Sequence, residues 1–110
     1  MNLETINEKD LLAWINSLNI CTFKLEKVFG ERVPVCENAR GRIELGLSRY
    51  SDNMGEKSGR RGISIGVNYK TEPRPWSGMG YMTLDPGEIE RDTRRYAEAF
   101  GMLNPQLSLF

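Results

Sequence analysis

The chain has 110 residues and a mass of 12.6 kDa, which is the size of one compact domain and argues against separate catalytic and regulatory domains. Hydrophobic residues make up 39% of it and charged residues 27%, a globular composition that excludes general disorder. Because 15 basic residues balance 15 acidic ones, no global basic field draws the protein to nucleic acid or acidic lipid. The absence of histidine removes the commonest general base and the commonest metal ligand.

The first predicted element is a helix from about Ile6 to Leu18. Thr5 lies before it and Glu8 follows three residues later, which is the spacing of a capping box. Apolar side chains then recur at helical spacing, at Leu11, Trp14, Ile15 and Leu18. This stripe predicts a helix that packs on a sheet.

Three later segments alternate apolar and polar residues with a period of two. The apolar positions are all odd-numbered: Cys21, Phe23 and Leu25, then Ile43, Leu45 and Leu47, then Ile63, Ile65, Val67 and Tyr69. The pattern predicts an antiparallel sheet with one face covered by helices and the other in water. We expect a polar hairpin connection over residues 50–60, an irregular stretch over 71–80 and a short fourth strand over 79–84.

The second predicted helix has the clearest start in the chain. Asp85 is its expected N-cap, Pro86 occupies the first helical position, and Gly101 is the expected stop. The element order predicts an α+β fold in which an N-terminal helix, a three- or four-stranded antiparallel sheet and a C-terminal helix follow one another, with both helices on one face. Residues 1–101 are expected to form this single domain. Residues 102–110 are expected to form an extended tail, because Pro105 blocks continuation of the helix.

The two cysteines, Cys21 and Cys36, are too few for a disulfide scaffold and do not form a C-x-x-C pair. Cys21 is interpreted as a core residue, because no histidine is present to activate its thiol. No signal-peptide pattern and no membrane-spanning apolar run occurs in the sequence. These features predict a soluble cytoplasmic protein without a membrane partner.

Basic residues concentrate in the middle of the chain, where residues 32–74 hold nine of them against five acidic residues. The flanking segments, 1–31 and 75–110, each hold three basic and five acidic residues. A module that binds DNA or RNA would contact phosphates through the basic segment 40–74. Its candidate residues are Arg42, Lys57, Arg60, Arg61 and Arg74. The alternative is that these charges only solubilise the surface.

The sequence carries no recognisable catalytic chemistry. A phosphate-binding glycine loop, H-E-x-x-H and G-x-S-x-G are all absent, so we predict no catalytic residue, no cofactor and no metal ligand. A metal-dependent enzyme built on carboxylates stays as an alternative, because such ligands leave little signature. Glu88, Glu90 and Asp92 lie near the start of the second helix, where capping and the helix dipole account for Glu88 without catalysis.

The strongest functional signal is the terminal pentapeptide, which consists of Gln106, Leu107, Ser108, Leu109 and Phe110. An apolar terminus either folds back and completes the core or enters a groove of a partner. The pentapeptide resembles the Q-L-x-L-F motif through which bacterial DNA polymerases and repair proteins bind the β sliding clamp of DNA polymerase III. All five positions agree with that motif.

The resemblance covers five of the 110 residues and implies a partner, without implying an activity for the domain. It implies that the Gln106 amide fills a small polar pocket and that Leu109 and Phe110 enter a deeper hydrophobic pocket. Leu107 would be a lesser contact, and Ser108 would be a tolerant spacer. The chain is thus interpreted as a small interaction protein of phage or mobile-element type that joins or modulates DNA replication or repair. A nucleic-acid-binding module and a carboxylate enzyme recruited to the clamp are the alternatives.

Overall fold

A computed structural model describes residues 2–28, 30–51, 57–71 and 76–105, with the backbone alone at 48–51, 57–61 and 76–81. In chain order these residues form α1 (Glu8–Ser17), β1 (Lys24–Val28), β2 (Glu31–Glu37), β3 (Gly41–Ser51), β4 (Lys57–Tyr69), β5 (Trp76–Thr83) and α2 (Pro86–Ala99). The strands form one antiparallel sheet in sequence order. The α+β class is confirmed, with five strands where three or four were expected.

One face of the sheet carries the core, and both helices cover it. The odd-numbered apolar residues of β3 and β4 whose side chains are described are buried or half-buried there, as the alternation predicts. These strand residues form one hydrophobic core with buried residues of both helices. Its members include Leu11 and Ile15 from α1, Ile43 and Leu45 from β3, Ile63, Ile65 and Val67 from β4, and Ile89 and Ala97 from α2. Neither helix of the described chain is long and apolar enough to cross a membrane.

α1 begins later than predicted, because its N-cap is Asn7. The side-chain oxygen of Asn7 accepts a hydrogen bond from the backbone N–H of Asp10 at 2.8 Å. Asparagine is among the best N-cap residues, and this one satisfies an N–H group that the first helical turn leaves unpaired. The predicted capping box of Thr5 and Glu8 is therefore wrong.

β2 was not predicted, and its sequence shows why. Four consecutive residues, 33–36, are buried, so the strand has no alternation of apolar and polar residues. Pro34 lies opposite Leu25 of β1 in the middle of this run, and an internal proline argues against a strand. Cys36 lies opposite Ile43, on the sheet face that the helices cover. Val33 and Val35 lie on the other face of the sheet. Burial on both faces erases the period-two signal.

α2 agrees with the prediction at both ends. The Asp85 side chain accepts a hydrogen bond from the Gly87 N–H at 2.8 Å, and Pro86 is the first helical residue. Gly101 has a φ of 67°, which is the left-handed conformation that commonly ends helices. These signals are local in sequence, so they were readable without knowledge of the tertiary structure.

Candidate functional site

The structure places four of the sequence-predicted site residues, all of them basic, in two strands of the sheet. Residues 106–110, which carry the clamp-binding resemblance, and Arg74 lie outside the described residues. Lys57, Arg60 and Arg61 belong to β4. Arg42 belongs to β3 and lies opposite Asn68.

The chain just before the pentapeptide is fixed to the domain by Asn104. Its backbone N–H donates to the carbonyl oxygen of Ile20 at 2.7 Å. Its side chain donates to Asn19 Oδ1 at 3.1 Å and accepts from the Thr22 hydroxyl at 3.4 Å. These contacts hold the segment against the connection between α1 and β1. We call residues 102–104 the C-terminal anchor.

Met102 forms the other half of the C-terminal anchor. Its backbone N–H donates to the carbonyl oxygen of Ala97 at 2.9 Å, and its sulfur accepts a hydrogen bond from the Cys36 thiol at 3.3 Å. Cys36 also accepts a hydrogen bond from the Cys21 thiol, and this bond together with burial raises the pKa of Cys21. The same bond lowers the pKa of Cys36. Both cysteines are buried free thiols.

Exposure alternates along the C-terminal anchor and the residue after it. Met102 and Asn104 are half-buried, whereas Leu103 and Pro105 are exposed. Leu103 is a large hydrophobic residue, and 41% of its surface is exposed. Among the side chains that the structure describes, no other large hydrophobic residue is classed as exposed. The domain was expected to end at residue 101. In the structure, residues 102–104 also pack against it.

Arg42 lies at the centre of a group of charges on the sheet face opposite the helices. Its Nε donates to Glu44 Oε1 at 2.6 Å, and its Nη1 donates to Glu37 Oε1 at 3.1 Å and Glu26 Oε2 at 3.3 Å. Lys70 Nζ donates to Glu37 Oε2 at 2.5 Å. We call these five residues the Arg42 cluster.

The Arg42 cluster combines three carboxylates with two cations. A hydrogen bond from Lys70, supported by the charge of Arg42, holds the pKa of Glu37 below its ordinary value. Partial burial opposes the charged form of Arg42, but Glu44, Glu26 and Glu37 together raise its pKa. Three carboxylates contact Nε and Nη1 of Arg42, so a phosphate group would compete with them for its guanidinium.

Three of the other basic candidates, Lys57, Arg60 and Arg61, lie on a two-stranded extension of the sheet. β2 pairs with β3 only at residues 42–44, and β5 pairs with β4 only from Ile63 onward. Residues 48–51 and 57–62 therefore pair with each other beyond the rest of the described sheet, and we call them the β3–β4 arm. By sequence the arm holds four basic residues and no acidic one: Arg49, Lys57, Arg60 and Arg61.

The strand register brings two of these basic residues together and separates Arg42 from them. Arg49 lies directly opposite Arg61. Arg42 lies seven positions before Arg49 on β3, which corresponds to about 23 Å along the strand. Like charges in directly opposite positions destabilise a strand pair unless an anion neutralises them.

No group of three or more Cys, Asp or Glu residues within the described ranges is placed to hold a metal ion. Two of the three carboxylates near the start of α2 form ion pairs with arginines. Asp92 is buried and pairs with Arg91 at 3.1 Å, and Glu90 pairs with Arg94 at 3.6 Å. The described carboxylates thus give no support to the metal-dependent alternative.

Sequence reasoning missed both the C-terminal anchor and the Arg42 cluster. Asn104 and Asn19 are 85 positions apart, and no local pattern indicates that they meet. The alternation does place Arg42 and Glu44 on one face, but their partners come from β1 and β2. Comparison with protein-family models, with curated proteins and with solved structures finds no match to this chain.

Proposed function

We propose that this chain docks on the bacterial β sliding clamp of DNA polymerase III through residues 106–110 and so joins or modulates DNA replication or repair. The observation that carries the proposal is the agreement of all five terminal residues with the Q-L-x-L-F motif. The position of the peptide supports it. The described chain is held on the domain as far as Asn104, and Pro105 is exposed directly before the peptide.

The chemistry of the peptide suits a groove with two pockets. An extended peptide gains most of its affinity from one or two buried apolar anchors and one oriented polar group. Leu109 and Phe110 supply the anchors in this proposal, and the Gln106 amide supplies the polar group. The proposal places the protein in the bacterial cytoplasm, as a product of a phage or another mobile element.

Replacing Leu109 and Phe110 together with alanine is expected to weaken clamp binding by about 30-fold or more, because both apolar anchors are lost. Isothermal titration calorimetry of the full chain with purified clamp measures the effect. Ser108→Ala is the matched control, and it should bind like the parent because the spacer position is tolerant. The double variant should melt at the temperature of the parent.

Two results would contradict this proposal. Unchanged clamp binding by the double variant would remove the pentapeptide as the docking element. A large fall in melting temperature, with no binding by the parent chain, would show that the terminal residues complete the core of the domain instead.

A second candidate function, nucleic-acid binding, is favoured by the register of the β3–β4 arm. The arm carries four basic residues, and Arg49 lies directly opposite Arg61. A two-stranded ribbon fits the major groove of DNA, and phosphates would relieve the repulsion between the opposed arginines. Arg42 contributes little in this version, because three carboxylates already engage it.

Replacing Arg60 and Arg61 with alanine is expected to lower the affinity for duplex DNA by about tenfold at low salt and to reduce the salt slope by about two. Fluorescence anisotropy with a labelled duplex measures both quantities. The control is Arg94→Ala, which removes a basic residue of α2 that pairs with Glu90. Binding that does not depend on salt, or equal effects of both variants, would remove this candidate.

A further inference from the structure

The spacer between the domain and the proposed docking peptide is one residue long. Among the described residues, Asn104 is the last one with a hydrogen bond to the domain, and its backbone nitrogen lies 2.7 Å from the carbonyl oxygen of Ile20. Pro105 follows, and the peptide begins at Gln106. Two Cα–Cα steps limit the separation of residues 104 and 106 to about 7.6 Å. A flexible recruitment tail needs a longer linker to separate a domain from its partner.

The spacer is also stiff. The ring of Pro105 fixes its φ near about −65° and disfavours helical backbone at Asn104. The Asn104 side chain is held by Asn19 and Thr22 in addition to the backbone bond to Ile20. The fold therefore sets the position of the chain at Asn104, and Pro105 restricts the backbone directly after it.

Two of the three residues before the peptide, Leu103 and Pro105, are apolar and exposed. Met102 and Asn104 turn toward the domain, and Leu103 and Pro105 are exposed between and after them. Alternate residues of an extended segment project to the same side. Leu103, at 41% exposure, and Pro105 therefore extend the apolar character of the pentapeptide back to the domain surface.

We infer that the clamp contacts residues 103–110 and that the domain is held against the clamp surface beside the peptide pocket. This inference rests on the proposed function. The chain measures 54 × 35 × 23 Å, whereas an extended pentapeptide spans about 17 Å. A docked chain thus covers clamp surface beyond the pocket and keeps other proteins from it. The short spacer makes the chain a competitor for the clamp surface and not a client on a flexible tether.

The test compares four forms of the full chain in titrations with purified clamp: the parent, Leu103→Ser, a variant with six Gly and Ser residues inserted between Pro105 and Gln106, and Lys9→Ser. Leu103→Ser should bind about tenfold more weakly, because it removes a leucine contact. The insertion should also weaken binding about tenfold, because it releases the domain from the clamp surface. The control Lys9→Ser changes an exposed residue of α1 and should bind like the parent.

A synthetic peptide of residues 106–110 separates the two levels of the proposal. If the peptide binds and both Leu103→Ser and the insertion bind like the parent, the extended contact is wrong and the docking peptide stands. If the peptide and the parent chain both fail to bind, the proposed function and this inference fall together. Leu103 is exposed, so Leu103→Ser should keep the parent melting temperature, and an equal loss of stability and affinity would also overturn the inference.

Discussion

Gly41→Ala is expected to lower the free energy of unfolding by about 2 to 3 kcal/mol. An alanine Cβ at this position would overlap three carbon atoms of the Phe100 ring. The ring cannot move aside cheaply, because it is buried with Tyr69 at a centroid distance of 4.9 Å and Tyr96 at 6.5 Å. Chemical denaturation followed by far-ultraviolet circular dichroism measures the change.

The matched control is Gly66→Ala in the neighbouring strand. The nearest atoms to a Cβ at Gly66 belong to the Glu44 side chain at 3.9 Å, which is ordinary contact. Glycine in a strand costs about 0.5 to 1 kcal/mol relative to alanine, so this variant should be as stable as the parent or slightly more stable. Equal stability of Gly41→Ala and Gly66→Ala would contradict the packing of Phe100 against Gly41.

The contact between Gly41 and Phe100 also bears on the C-terminal anchor. The carbonyl oxygen of Phe100 accepts a hydrogen bond from Asn38 Nδ2 at 2.8 Å, and Met102 follows two residues later. A displaced Phe100 ring would disturb the point at which the chain turns from α2 into the anchor. The packing of a strand glycine thus helps to fix the position of the C-terminal anchor.

The parts of the fold that could be predicted are those whose signals are local in sequence. Asp85, Pro86 and Gly101 define the ends of α2 by capping and backbone conformation alone. The odd-numbered apolar residues of β3 and β4 identify the buried face, because strand side chains alternate with a period of two. Neither inference needs a partner from elsewhere in the chain.

The parts that could not be predicted depend on tertiary contacts. β2 is buried on both faces, so its sequence does not alternate, and its internal Pro34 argues against a strand. The connection expected over residues 50–60 is shorter in the structure, because β3 continues to Ser51 and β4 begins at Lys57. β5 begins at Trp76, inside the expected irregular stretch, where pairing with Tyr69 of β4 fixes it.

The candidate site follows the same division. The pentapeptide is a contiguous motif, so the sequence alone suggests a partner. The basic candidates look equivalent in sequence, but the strand register separates them. Arg42 is surrounded by carboxylates from three strands, while Arg49 is opposed to Arg61 in the β3–β4 arm. The surroundings of each charge decide which arginines are available to an anion.

Arg42→Met is expected to lower the free energy of unfolding by about 2 kcal/mol at neutral pH. Arg42 is the shared partner of three carboxylates, and its side chain is only 17% exposed. Methionine keeps the unbranched apolar stem but leaves Glu26 and Glu37, which contact the same nitrogen of Arg42, to repel each other. This loss of stability is larger than that for breaking an exposed ion pair and smaller than that for breaking a fully buried one, because the glutamates are partly exposed.

The pH dependence of this loss has a definite sign. In the parent, the pKa of Glu37 is lowered, so its contribution to stability is complete above the unfolded-state pKa and is lost as the pH falls through the folded-state pKa. In Arg42→Met, acidification instead neutralises carboxylates that repel one another. The stabilities of the two proteins should therefore converge as the pH falls below about 4. Denaturation curves recorded at several pH values measure this convergence.

Arg42→Lys is the control that separates charge from geometry. Lysine keeps the positive charge but cannot present Nε to Glu44 and Nη1 to two further carboxylates at once. Arg42→Lys should recover about half of the free energy of unfolding that Arg42→Met loses. Added salt should reduce the loss of stability in Arg42→Met more than that in Arg42→Lys. If Arg42→Met instead matches the parent at neutral pH, or if its deficit grows as the pH falls, the Arg42 cluster does not stabilise the sheet.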